Sequence, residues 1–271
     1  MSDWLKNFQE SSGEIRLSEY VDRNEATWRQ ANVDFLNKLL TLVGQKAGID
    51  FFNGDHSQDV SALYERIRGI LLDNYQSQLY AALKELGGDA ESFEREFIFG
   101  TMLSVIRKRS NADYLINLMK NRGILKGYSF IDGQYSFDTV RYGLVNFFTA
   151  ESRYPQAEHI FKAPDLLNSC HKYAEQFMKI YQGVEVVTAT LNKDINLRYY
   201  HSFAVDGENV VDVSNGIVME RSWYYYLSGV AEINRLTYRS FLETKDISLP
   251  YDESGSLFEL LRMAAYKQIR G

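Results

Sequence analysis

The sequence predicts an α+β fold, and two observations carry that prediction. Apolar residues recur at helical spacing over about residues 17–122, and alternating strand-like runs dominate after about residue 184. Helices followed by strands, without regular βαβ alternation, imply α+β. The chain has 271 residues, of which 45% are hydrophobic and 24% charged. Those are globular values, and the length lets a core form without a disulfide or a metal staple.

The helical half comes first. "NEATWRQANVDFLNKLLTLVGQ" sets Trp28, Phe35, Leu36, Leu39 and Leu40 on one stripe. "SQDVSALYERIRGILLDNYQSQLYAALKELGG" opens on Ser57 as the expected cap and stops at Gly87-Gly88. "DAESFEREFIFGTMLSVIRKRSN" and "ADYLINLMKNRG" continue the pattern. "YSFIDGQYSF" then signals a hairpin near residues 128–137, turning at Asp132-Gly133. "VRYGLVNFFTAES" reads as a further helix, and Pro155 and Pro164 break the pattern that follows. These features divide the chain near residue 150, into a helical module over 1–150 and an α+β unit over 151–271. The second unit holds a helix over about 165–182, strands at "VEVVTATL", "RYYHSFAV" and "NVVDVSN", a Tyr-rich segment, and a closing helix at "SLFELLRMAAYKQIR".

Several function classes lose weight on composition. A net charge of −6 argues against a dedicated nucleic-acid binder. One local exception is basic: Arg107, Lys108, Arg109, Lys120, Arg122 and Lys126 surround the helix-then-hairpin segment, as in a winged-helix DNA-binding regulator. No apolar stretch reaches the roughly 20 residues of a membrane span. With no signal-peptide pattern at "MSDWLKNFQESSGEIRLSEY", the expectation is a cytoplasmic protein, leaderless secretion staying open. The single cysteine, Cys170, removes a disulfide framework and a Cys-rich zinc site. Neither metal spacing nor a phosphate-binding glycine loop is present, so no metal and no cofactor is expected.

What remains is a possible triad. Cys170 lies near the start of "NSCHKYAEQFMKIYQG", with Asn168 or Ser169 to cap the helix. A helix N-terminus favours thiolate over thiol, and its N–H groups can hold an oxyanion. His201 and Asp212 follow on two strands joined by Asp206-Gly207. With those two residues as the loop, Val205 pairs with Glu208, Phe203 with Val210, and His201 with Asp212. Nucleophile, base and orienting carboxylate are then all available.

Each residue also has a structural reading. Cys170, Tyr173, Ala174, Phe177, Met178 and Tyr181 share helical spacing, so Cys170 fits a buried apolar stripe. Asp212 can brace a turn with Ser214 and Asn215. His171, next to Cys170, points about 100° away and reads as a surface or loop-facing residue. His56 reads as a loop residue, and His159 precedes the Cys helix without a demanded role.

"NSCHKYAEQF", "YYHSFAV" and "VVDVSNG", in that order, resemble the core of the transglutaminase-like superfamily, within the papain-like cysteine-enzyme fold. The resemblance covers about residues 160–230. It implies a Cys-bearing helix packed on an antiparallel sheet, with Cys170 as nucleophile, His201 as base and acid, and Asp212 as orienter. The implied activity is acyl transfer from an amide, as a protease, amidase, deamidase or transamidase, on a protein or peptide substrate. Oxyanion candidates are the Cys170 N–H, Asn168 and Gln156, and the aromatic residues expected to line a cleft are Tyr154, Tyr199 and Trp223. The rival expectation is an inactive interaction protein that keeps the fold.

Overall fold

A computed structural model describes residues 17–54, 56–107, 112–163, 170–191, 197, 199–237 and 239. The chain is α+β, as expected. Helices α1 (Leu17–Ala47), α2 (Val60–Leu72), α3 (Gln76–Glu85), α4 (Ala90–Arg107) and α5 (Ala112–Asn121) come first. Strands β1 (Leu125–Ile131), β2 (Gln134–Thr139) and β3 (Gly143–Thr149) follow. Next are the single-turn helices α6 (Ala150–Arg153) and α7 (Glu158–Phe161), flanking a 3₁₀ turn at Pro155–Ala157. Helix α8 (Cys170–Ile180) leads into β4 (Glu185–Leu191), β5 (Tyr199–Asp206), β6 (Asn209–Asp212) and β7 (Ile217–Glu220). Helix α9 (Arg221–Ser228) and strand β8 (Ala231–Thr237) complete the described elements. The expected closing helix lies outside the described residues.

Local chemistry explains most of these limits. The cap of α2 is Asp59, whose carboxylate accepts from Ser61 N at 2.7 Å and Ala62 N at 3.4 Å. Ser57, the expected cap, instead accepts from Asp59 N at 3.0 Å and so shapes the entry to the helix. The single helix expected from Ser57 to Gly87 divides at Asp73–Tyr75 into α2 and α3. Its stop is as expected: Gly87 has φ +74°, and Gly88 N donates to Leu83 O at 2.9 Å. "VRYGLVNFFTAES" is mostly a strand. Val145 and Phe147 are buried while Leu144 is exposed, an alternation that outweighs the helical reading once β2 and β7 pair with β3 on either side.

The strands form one antiparallel sheet in the order β1-β2-β3-β7-β6-β5-β4-β8. The boundary expected near residue 150 therefore falls inside a single sheet, where β3 meets β7 at Phe148–Val218 and Thr149–Ile217. The hairpin at Asp132-Gly133 is as expected, with both loop residues at positive φ (+50° and +82°). It is continued into the sheet by β3 rather than standing free as a wing.

Helices pack on both faces of the sheet, on one of them only towards the β4–β7 end. Val187, Phe203, Phe137 and Phe147 pack with Phe99 and Met102 of α4, Ile116 and Met119 of α5, and Tyr224 of α9. On the other face Val186, Ala204 and Val211 meet Ala174, Phe177 and Met178 of α8. Adjacent residues such as Val186 and Val187 serve opposite cores, as the two-residue period requires. A third core lies among the first helices, from Leu36, Leu39 and Leu40 to Leu63, Ile67, Leu79 and Leu83. Helix α4 joins two of these cores: Phe93 and Phe97 enter the bundle, while Phe99, Met102 and Val105 meet the sheet.

Candidate active site

Cys170 is the first residue of α8 and is half-buried. Its sulfur is hydrogen-bonded to the His201 ring and to the backbone N–H of Ser202. The sheet explains that second bond. Ala204–Val211 is the last pair between β5 and β6, and the chain then turns through Val213–Gly216. Counting back in twos from the Asp206–Asn209 pair that closes the loop, Ser202 is the next residue whose N–H points towards β6. Val213, opposite it, has turned away, and its carbonyl accepts from Gly216 N at 3.2 Å. The notch where β5 and β6 part thus leaves one N–H for the sulfur.

His201 and Asp212 meet, but through a different register from the expected one. Asp206 pairs with Asn209, so the loop is Gly207-Glu208 and Gly207, with φ +57°, holds its first position. That is where a type II′ turn needs glycine. Asp206 stays in the strand, where its carboxylate accepts from Tyr154 OH at 2.8 Å. Counted on from these pairs, the register would set His201 against position 214 rather than 212, so Asp212 is its diagonal neighbour. The shift moves each strand by one residue, two in all, so both side chains keep the same face. His201 Nε2 stands 3.0 Å from Asp212 Oδ1, although its N–H is not directed along that line. This leaves Nδ1 as the ring nitrogen for Cys170.

Asp212 is fully buried yet well supplied with donors. It accepts from Tyr224 OH at 2.7 Å, Ser214 Oγ at 3.1 Å, Asn215 N at 3.1 Å and the Asn215 side-chain amide. The turn-bracing contacts from Ser214 and Asn215 N fall on Oδ1, the same oxygen that faces His201, while Tyr224 and the Asn215 amide take Oδ2.

Burial and charge set the titration of the group. Burial alone would raise the Asp212 carboxyl, but the His201 charge and hydrogen bonds hold it well below the usual range. Burial alone would lower His201; the Asp212 charge beside it, with the charge and bond of Cys170, raises it instead. Burial likewise pushes the Cys170 thiol up, and the His201 bond and charge and the Ser202 N–H outweigh it, so the net shift is downward. Each net shift favours the ionised form of its group: thiolate, imidazolium and carboxylate.

The other expected site residues fall on several elements, and two of them lie wholly or partly outside the described residues. Tyr154 bonds Asp206, about 17 Å along β5 from His201, and packs against Phe177 and Tyr181 near the far end of α8. It is a core residue rather than part of a cleft wall beside Cys170. Trp223 is half-buried, edge-to-face on Tyr226, whose ring carries Arg95 of α4 at 4.3 Å. Tyr199 lies at the start of β5, with its side chain outside the described residues, and Asn168 lies outside them altogether. Gln156 is exposed on the 3₁₀ turn, and His159 is exposed on α7.

His171 is not a surface residue. It is 4% exposed, with Nδ1 3.1 Å from Ser202 Oγ, and burial lowers it to about 4. Sequence reasoning also missed Tyr224 and the Ser202 N–H. Both act across elements distant in sequence, so no local pattern signals them. Asn215 was legible, since Asp followed by Ser and Asn favours a side-chain-braced turn.

Among the described residues no His, Cys, Asp and Glu cluster could hold a metal ion, and no helix is long and apolar enough to cross a membrane. Compared with known proteins, the chain matches no family model, no curated protein and no solved structure.

Proposed function

We propose that the protein is a cysteine-dependent acyl-transfer enzyme acting on an amide of a protein or peptide, on a papain-like, transglutaminase-like core. The observation that carries this reading is the joining of Cys170, His201 and Asp212 by direct contacts, with Asp212 saturated by donors. A purely packing cysteine has no need of a charged imidazole beside it. In the proposed reaction the Cys170 thiolate attacks the amide carbonyl carbon. The Cys170 N–H faces the developing oxyanion from the start of α8. His201 gives its proton to the leaving amine, and a thioester remains on the sulfur. Water or an acceptor amine, deprotonated by His201, then attacks the thioester and frees Cys170. Asp212 keeps the ring oriented and stabilises its charged form.

Iodoacetamide alkylation across pH tests the central claim. An ordinary thiol of pKa about 8.5 is only about 0.3% ionised at pH 6, so a paired thiolate stands out there. The parent should alkylate rapidly at pH 6, and His201→Ala should slow that reaction by about 10-fold or more. Identical pH profiles in the two proteins would refute the pairing. That is also the result expected of a protein that keeps the fold for interaction alone.

A further inference from the structure

The residue after the proposed nucleophile is also anchored to the sheet. His171 Nδ1 lies 3.1 Å from Ser202 Oγ and 3.5 Å from Thr188 Oγ1, and the two hydroxyls are 2.9 Å apart. Thr188 and Ser202 are direct partners across β4 and β5, so their side chains share the face under α8. All three side chains are buried, beside the apolar Val186, Ala204 and Val211 of the same sheet face. Polar groups in such a place are costly unless bonded to one another, and here they are. His171 Nε2 is buried without a partner. A proton on Nδ1 fits this, since an idle lone pair costs less than a buried N–H without an acceptor.

Ser202 therefore holds α8 twice. Its hydroxyl meets His171, and its backbone N–H meets the sulfur of Cys170. Adjacent residues of one helical turn are tied to one residue of one strand. A displacement of this turn away from β5 lengthens both bonds.

We propose that His171 is a positioning residue, which with Ser202 and Thr188 fixes the first turn of α8 so that the Cys170 sulfur stays on the Ser202 N–H and the His201 ring. The inference rests on the thiolate reading above. His171 touches no reacting atom in this role. With hydroxyls as its polar neighbours it remains uncharged, leaving proton transfer to His201.

The experiment compares the pH midpoint of iodoacetamide alkylation in the parent, His171→Phe, Ser202→Ala and His201→Ala, with the folded fraction of each checked by circular dichroism. His171→Phe fills the volume without the bond; Ser202→Ala keeps the backbone N–H and loses only the hydroxyl. Each should raise the midpoint by about one unit and slow alkylation at pH 6 by about 10-fold, the effect of one lost hydrogen bond. The double variant should match either single one, because both break the same link. A folded His171→Phe or Ser202→Ala protein with the parent midpoint would overturn the proposal. If His201→Ala also shares the parent midpoint, the thiolate reading itself fails; if only His201→Ala departs from it, the positioning role alone fails.

Discussion

Two histidines adjoin Cys170, and their surroundings push them apart. His171 is lowered to about 4 by burial among hydroxyls, whereas His201 is raised because Asp212 and Cys170 outweigh its burial. A pH experiment can isolate the second effect. In the parent, folding raises His201 and lowers Cys170, so the two contributions change with pH in opposite senses. Cys170→Ser removes that compensation. A group raised on folding stabilises fully below its unfolded value of 6.5 and loses that contribution as pH rises through the folded value. Urea midpoints of Cys170→Ser should therefore fall as pH rises above 6.5. Adding Asp212→Asn should flatten that slope and cost about 3 kcal/mol at pH 6. An unchanged slope would show that Asp212 is not what raises His201.

At the scale of elements, the two hairpins show different uses of glycine. Gly133 has φ +82°, and a Cβ there would lie 2.7 Å from Ser152 Oγ and 2.8 Å from Ser152 Cβ. The β1–β2 loop is thus tight against α6 as well as strained. Gly207 has φ +57°, with nothing within 4 Å of an added Cβ. Gly207→Ala should cost about 1 kcal/mol, the price of a left-handed conformation. Gly133→Ala adds a steric clash and should cost about 3 kcal/mol. Denaturant midpoints measure both. Equal losses would mean that α6 moves aside, and that the hairpin tip is not held by it.

Across the whole molecule, α4 connects the helical bundle to the site. Phe99 lies edge-to-face on Tyr224 at 5.8 Å, and Tyr224 in turn holds Asp212. Phe93 belongs to the bundle core and packs on Phe97 at 4.3 Å. Phe99→Ala and Phe93→Ala should each cost about 3–5 kcal/mol, as deletions of buried aromatic rings. Only Phe99→Ala should also slow Cys170 alkylation at pH 6 in the folded fraction, because Tyr224 loses its backing. Equal slowing by both would mean that the bundle acts on the site as a unit, without a specific route through Tyr224.

The sequence by itself determined the α+β class, most helix and strand identities, and the order Cys170, His201, Asp212. Those are local properties. Helical and strand periods are written in a few neighbouring residues, and a cysteine at a helix start needs no distant partner to be noticed. Even the mistaken hairpin register kept His201 and Asp212 on one face, since a two-residue shift preserves parity. Tertiary structure decided the rest. The segment around Val145 became a strand because β2 and β7 supply its hydrogen bonds. Asp206 left the turn for the strand, where it accepts from Tyr154, 52 residues earlier in the chain. Likewise, the burial of His171 and the bond from Tyr224 to Asp212 depend on which faces the sheet presents to α8 and α9. A hydrogen bond between elements is fixed by register and packing angle, and neither is encoded in the residues beside the groups that bond.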